Sequence, residues 1–213
     1  PVIIIDRMVN IKDDSLYTTW IGTDAWEEGR KAGRWLEGYL REKNRQTERI
    51  NIVVLQGTIG STAEIGRSEG FEEIAAMHEN WRILESATAD FTAAKGKEVM
   101  AEMLCRYPKI DVLVSQNDDM TMGAIEAMQE AGVSFGENGQ VAVISFDAIR
   151  DALQMVDEGH INVDIECNPV QGSYIDMIIQ KLENGEQVER SYVVEENIFT
   201  EDNVGRFLED RTY

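Results

Sequence analysis

An alternation of two patterns constrains this chain more than any other feature. Short runs rich in β-branched residues, at 2–5, 50–55, 82–86, 112–115, 141–145 and 162–165, are separated by amphipathic stretches of helical length at 24–41, 62–77, 92–105, 120–131, 149–157 and 169–182. Strand followed by helix, repeated, pairs strands in parallel through crossovers and covers both sheet faces with helices. The run Ile52-Val53-Val54-Leu55 is apolar at every position, as a strand buried on both faces must be. The three prolines stand at 1, 108 and 169, so none breaks a helix internally. The pattern predicts an α/β fold with a parallel sheet sandwiched by helices.

Helix punctuation agrees. Thr23-Asp24 offers an N-cap, and Glu27 and Glu28 place acids in the following turn, where they complement the helix dipole. Asp90 precedes Phe91-Thr92, and Asn117-Asp118 precede Met120, so capping side chains stand where strands hand over to helices. Gly132 and Gly159 read as C-terminal stops. Met120, Met122 and Met128 have the spacing of ordinary core packing.

Composition excludes several function classes. Twenty basic against 40 acidic residues give a net charge of −20, with no Lys/Arg stripe to meet phosphates, so no nucleic-acid partner is expected. No apolar run approaches the roughly 18 residues of a transmembrane helix. Cys105 and Cys167 form no CxxC, and His78 and His160 stand alone, so no metal site, cofactor or catalytic residue is expected. The opening Pro1-Val2-Ile3-Ile4-Ile5 is strand-like from the first residue, without a signal peptide. It reads as the interior of a domain, in a fragment that has lost its upstream part.

In open α/β sheets, ligands bind beyond the carboxyl ends of the strands. Those ends carry Asp6-Arg7, Gln56-Gly57, Asp90-Phe91, Gln116-Asn117-Asp118-Asp119, Phe146-Asp147 and Glu166-Cys167-Asn168. Carboxylates, amides, an arginine and aromatic rings suit a neutral polyol, whose hydroxyls both donate and accept and whose ring face packs on an aromatic. Asp90 and Asn117 serve equally well as helix caps, and Phe91 as core. Gly57-Thr58-Ile59-Gly60-Ser61-Thr62 lacks the Gly-Lys-Ser/Thr of a phosphate loop. Asp118, Asp119 and Asp147 could hold Mg²⁺, but no other part of a phosphotransfer site accompanies them.

Four stretches carry a resemblance: 1–7 (PVIIIDR), 54–71 (VLQGTIGSTAEIGRSEGF), 89–100 (ADFTAAKGKEVM) and 117–124 (NDDMTMGA). In their order and spacing the chain resembles type I sugar-binding proteins of ABC importers, nearest to the galactofuranose-binding branch of the ribose-binding group. The opening DRMVNIKDDSLYTTWIGTD is particularly similar to that branch. The resemblance implies two α/β lobes joined by three crossovers, closing on a monosaccharide as a hinged trap.

Mapped onto this chain, the resemblance makes residues 1–19 a remnant of the N-terminal lobe and 20–166 a complete C-terminal lobe. Residues 167–192 return to the first lobe, and 193–213 form the last crossover and tail. It implies Asp6 and Arg7 as sugar partners from one lobe. From the other it implies Arg67, Phe91, Asn117, Phe146 as a stacking platform, and Asp147. Ile65 stands where ribose-type members carry an arginine, Cys167 where glutamine is frequent, and Ala148 where glycine is frequent. The implied partners are a monosaccharide and a membrane permease, in the periplasm or outside the cell, with membrane contact through the permease or a lipid anchor. A LacI-type effector domain, which shares the fold, is the alternative, and the upstream sequence separates the two.

Overall fold

A computed structural model describes residues 1–9 and 12–213; Asn10 and Ile11, within the quoted opening stretch, lie outside the described residues. The chain forms two compact units, residues 1–24 with 167–196 and residues 25–166 with 197–213.

The smaller unit is built on three parallel strands, β1 (Ile3–Ile5), β2 (Thr19–Gly22) and β8 (Ser191–Val193), in the order β1-β2-β8. Ile21 of β2 packs with Val194 and with Ile178 of the helix α6 (Gly172–Glu183). The domain boundaries read from the sequence at 19/20 and 192/193 fall inside β2 and β8. The units change over at 24/25 and 196/197 instead, because β2 is hydrogen-bonded to both neighbours and holds those residues together. The strand β2 had no sequence signal: its four residues, Thr-Trp-Ile-Gly, form no run of β-branched apolar residues.

The larger unit follows the alternation closely. Its strands are β3 (Ile50–Gln56), β4 (Trp81–Thr88), β5 (Val112–Ser115), β6 (Ala142–Asp147), β7 (Val163–Glu166) and β9 (Ile198–Phe199), in the order β4-β3-β5-β6-β7-β9. All pairs are parallel except β7 with β9. Helices α1 (Ala25–Glu42) and α2 (Thr62–Ala75) cover one face, where Leu36, Leu40 and Phe71 meet Ile50, Ile52, Val54, Ile144 and Phe146. Helices α3 (Ala93–Arg106), α4 (Asp118–Glu130) and α5 (Arg150–Asp157) cover the other, where Met100, Met120 and Leu153 meet Val53, Leu55, Leu113 and Val143. Alternate residues of each strand therefore serve opposite cores, which is why the strands read as continuous apolar runs. A last short helix, α7 (Glu201–Val204), follows β9 and sets Val204 against the second core. Among the described residues no helix is long and apolar enough to cross a membrane.

Candidate functional site

The chain leaves β3 for β4 on one side and then places β5 on the other, so the strand order reverses between β3 and β5. At such a switch point the loops diverge and leave a crevice beyond the carboxyl ends. The crevice is laced by hydrogen bonds. Gly57 N–H donates to Gln116 Oε1 at 2.9 Å, and Thr88 Oγ1 to the Gly57 carbonyl at 2.7 Å. Phe91 packs against Gly57: a Cβ there would come within 1.9 Å of the Phe91 ring, so any larger residue must displace the ring. Asn117 caps α4, its Oδ1 accepting from Met120 N–H at 3.0 Å, while its Nδ2 reaches the Phe91 carbonyl at 3.5 Å.

Arg67 enters from α2. Its side chain is 3% exposed, a burial an arginine accepts only when its donors are matched. Nε donates to Glu28 Oε2 at 2.6 Å, Nη1 to the Gln116 carbonyl, and Nη2 to Asp147 Oδ1 at 3.0 Å. The guanidinium lies 5.0 Å from the centre of the Phe146 ring, a cation–π distance. Glu28 reaches Arg67 because α1 and α2 pack backbone to backbone. A Cβ on Gly29 would lie 2.4 Å from the Arg67 carbonyl, and one on Gly70 2.0 Å from that of Trp26. Burial pushes the Asp147 carboxyl up to about 6, against the pull of Arg67.

Backbone strain collects at these same strand ends. Six non-glycine residues have positive φ among those described, and five follow strands of the two sheets: Asp6 (62°), Asp90 (52°), Phe91 (58°), Asp147 (107°) and Ala148 (59°). Such conformations persist only where the surroundings over-determine them, and they gather at ligand sites. Ala148 at φ 59° has a conformation that glycine adopts more readily than alanine.

The residues anticipated from sequence fall in two groups. Arg67, Phe91, Asn117, Phe146 and Asp147 come together at the strand ends of the larger unit. Phe146 is fully buried in the core, with its ring under Arg67. Asp6 and Arg7 belong to the smaller unit, both exposed, with Arg7 Nε 3.9 Å from Asp6 Oδ2. There the Asp6 turn is fixed by its N–H to the Ile21 carbonyl at 2.9 Å and by Trp20 Nε1 to the Asp6 carbonyl at 3.0 Å. Sequence reading did not single out Glu28 or Gln116, and it treated Glu28 as a dipole-complementing surface acid. The signal for Glu28 was available in the glycines at 29, 33, 66 and 70, spaced to let two helices touch. It also treated Asp118 as a cap, and it passed over Asp164, an acid flanked by Val163 and Ile165 in a fully buried strand.

A family model for the periplasmic binding protein domain matches residues 1–187. The chain belongs to that family. Among periplasmic binding proteins, the galactofuranose-binding protein YtfQ of Escherichia coli is 32% identical over 99% of this chain and 65% of its own length. This chain thus spans just under two thirds of that curated relative. A solved structure from Mycobacterium smegmatis in complex with β-D-fucofuranose is 38% identical with a TM-score of 0.90, over 100% of this chain and 68% of that one. The binding protein of an arabinose ABC transporter from a Shewanella species, bound to α- and β-L-arabinofuranose, is 34% identical with a TM-score of 0.89, over 100% and 68%. The galactofuranose and arabinose relatives are binding proteins by name. The periplasmic-binding-protein-like α/β architecture expected from the sequence is the one observed.

Proposed function

We propose that this chain belongs to the solute-binding component of an ABC-type sugar importer and captures a monosaccharide of galactofuranose or ribose type without chemical change. The observation that carries the reading is the Arg67–Asp147 pair at the end of β6, 3.0 Å apart. A sugar hydroxyl needs an acceptor and a donor at one place, and a carboxylate steered by a guanidinium supplies both. Asp147 retains 31% exposure while Arg67 is buried, so the acid faces the ligand and the arginine orients it. Phe146 backs the guanidinium from below, Phe91 offers a ring face, and Asn117 offers its amide. Asp6 and Arg7 are the proposed partners from the smaller unit.

The relatives bound to fucofuranose and arabinofuranose favour a furanose ring. Hinged closure, a membrane permease as partner and a periplasmic or extracellular location, with or without a lipid anchor, complete the proposal. A panel of D-galactose, L-arabinose, D-fucose, D-ribose and D-fructose, followed by thermal shift on the native protein, tests it. A cognate sugar at a hundredfold excess over its Kd adds about 2.7 kcal/mol of stability, a rise of several degrees. No shift with any member of the panel would contradict the reading.

A further inference from the structure

Behind Asp147, on the sheet face away from Arg67, lies a buried acidic knot that sugar binding does not itself require. Asp118 opens α4 and is 1% exposed; Asp164 lies within β7 and is 0% exposed. Each accepts a backbone N–H of the turn that follows Asp147, Asp164 Oδ1 from Ala148 and Asp118 Oδ2 from Ile149. The Asp164 Oδ2 atom is buried and receives no hydrogen bond.

Counting hydrogens along the adjoining chain places a proton on Asp118. Asp118 Oδ1 is 2.5 Å from Ser145 Oγ, Ser145 Oγ is 2.7 Å from Thr121 Oγ1, and Thr121 Oγ1 is 2.9 Å from the Asn117 carbonyl. Three contacts take three hydrogens, and the two hydroxyls supply two. A proton on Asp118 Oδ1 completes the run: Asp118 donates to Ser145, Ser145 to Thr121, and Thr121 to the Asn117 carbonyl.

The charges around the knot agree. Asp147 faces both acids, and Asp119 and Glu28 add negative potential at Asp147. The cation that reaches this group is Arg67, already engaged with Glu28, Asp147 and the Gln116 carbonyl. Burial, followed by repulsion from Asp147, pushes Asp118 up to about 7; burial, followed by repulsion from Asp118, raises Asp164 well above the usual carboxylate range.

The same two acids hold the turn that aims Asp147. Ala148 N–H donates to Asp164 Oδ1 at 3.2 Å, and Ile149 N–H to Asp118 Oδ2 at 2.8 Å. These are the two amides that follow Asp147 directly, where φ is 107° at Asp147 and 59° at Ala148. We propose that this pair of buried acids retains a proton, carried by Asp118, while both clamp the Asp147–Ala148 turn, which makes them positioning residues for Asp147 and makes ligand capture weaken when that proton is lost. Only the last step rests on the proposed sugar-binding role; the retained proton and the clamp do not.

Both acids carry raised affinity for the proton in the folded chain. Stability from this site therefore falls as pH rises from the ordinary carboxylate range through about 7. The test compares the native protein with Asp164→Asn from about pH 5 to about pH 9. The asparagine carbonyl still accepts from Ala148, and the neutral amide removes the charge that repels Asp118. In the native protein, the Asp118 carboxyl carbon should titrate near neutrality by ¹³C NMR, the Ala148 and Ile149 amide shifts should move with the same midpoint, and melting temperature should decline. In Asp164→Asn the decline should shrink by about one proton's slope. Affinity for L-arabinose, if that sugar binds, should fall by up to about tenfold per pH unit in the native protein and stay level in the variant. Asp118→Asn provides a second variant with the same expectation for melting.

Both acids titrating near pH 4, or an unchanged slope in both variants, would overturn the proposal. If no sugar binds at any pH while the carboxyl, amide and melting midpoints coincide, the proton clamp stands and the sugar-binding reading fails.

Discussion

Arg67 Nε lies 2.6 Å from Glu28 Oε2, with the two side chains 3% and 0% exposed. One helix thus supplies the cation of the candidate site, and its neighbour supplies the anion that allows this cation to be buried. The pair ties the packing of α1 on α2 to the orientation of Asp147 at the end of β6.

Glu28→Ala should be costly for that reason. It leaves a guanidinium buried with one anionic partner fewer, and breaking such a pair costs about 3–5 kcal/mol. Urea unfolding should show a lower midpoint with little change in slope. A loss below about 1 kcal/mol would mean that Arg67 is held without Glu28.

Gly57→Ala tests the crevice through its tightest contact. A methyl group there falls within 1.9 Å of the Phe91 ring, and its three nearest atoms would all belong to that ring. The ring must swing off the crevice, which overpacking data put at about 1–3 kcal/mol. Tryptophan-independent melting by circular dichroism should show that loss together with weaker sugar binding. Unchanged melting and binding would show that Phe91 moves freely.

The C-terminal residues set the acid limit of stability. Arg211 Nη1 lies 2.6 Å from Glu166 Oε1, Tyr213 Oη 2.7 Å from the same oxygen, and Asn197 Nδ2 2.7 Å from Oε2. Burial alone would raise the Glu166 carboxyl, but the hydrogen bonds from Tyr213, Arg211 and Asn197 outweigh it and hold the carboxyl below its ordinary value. Stability from Glu166 is therefore complete above about pH 4.5 and is lost as pH falls below it. This slope is opposite in sign to that of Asp118 and Asp164, so the protein should be most stable in mildly acidic solution. Arg211→Gln should move the acid unfolding midpoint to higher pH; an unmoved midpoint would show that the latch contributes nothing.

Much of the larger unit was legible because each of its strands spans both cores. Ile52-Val53-Val54-Leu55 could be read as buried on both faces without knowing what covered them, and the helices between carried their own caps. The strands β2, β8 and β9 gave no such signal: Thr-Trp-Ile-Gly, Ser-Tyr-Val and Ile-Phe hold no run of β-branched residues like those of β1 and β5. At the site, Asp147 and Asn117 were legible from their places after strands. Glu28, Asp118 and Asp164 were not, because a buried acid is defined by its partner, and the partners lie on other elements. Asp164 of β7 and Asp118 of α4 hold successive amides of one turn, a relationship that only three-dimensional pairing supplies.

Calorimetric titration of the native protein and of Asp147→Ala, with whichever furanose-forming sugar stabilises the native protein in the thermal panel, tests the central claim most directly. Removing the carboxylate that the buried Arg67 steers should weaken binding by about 2–5 kcal/mol, on the order of 30- to 5,000-fold, in a variant that still melts cooperatively. A folded Asp147→Ala variant that binds the sugar with unchanged affinity would contradict the account.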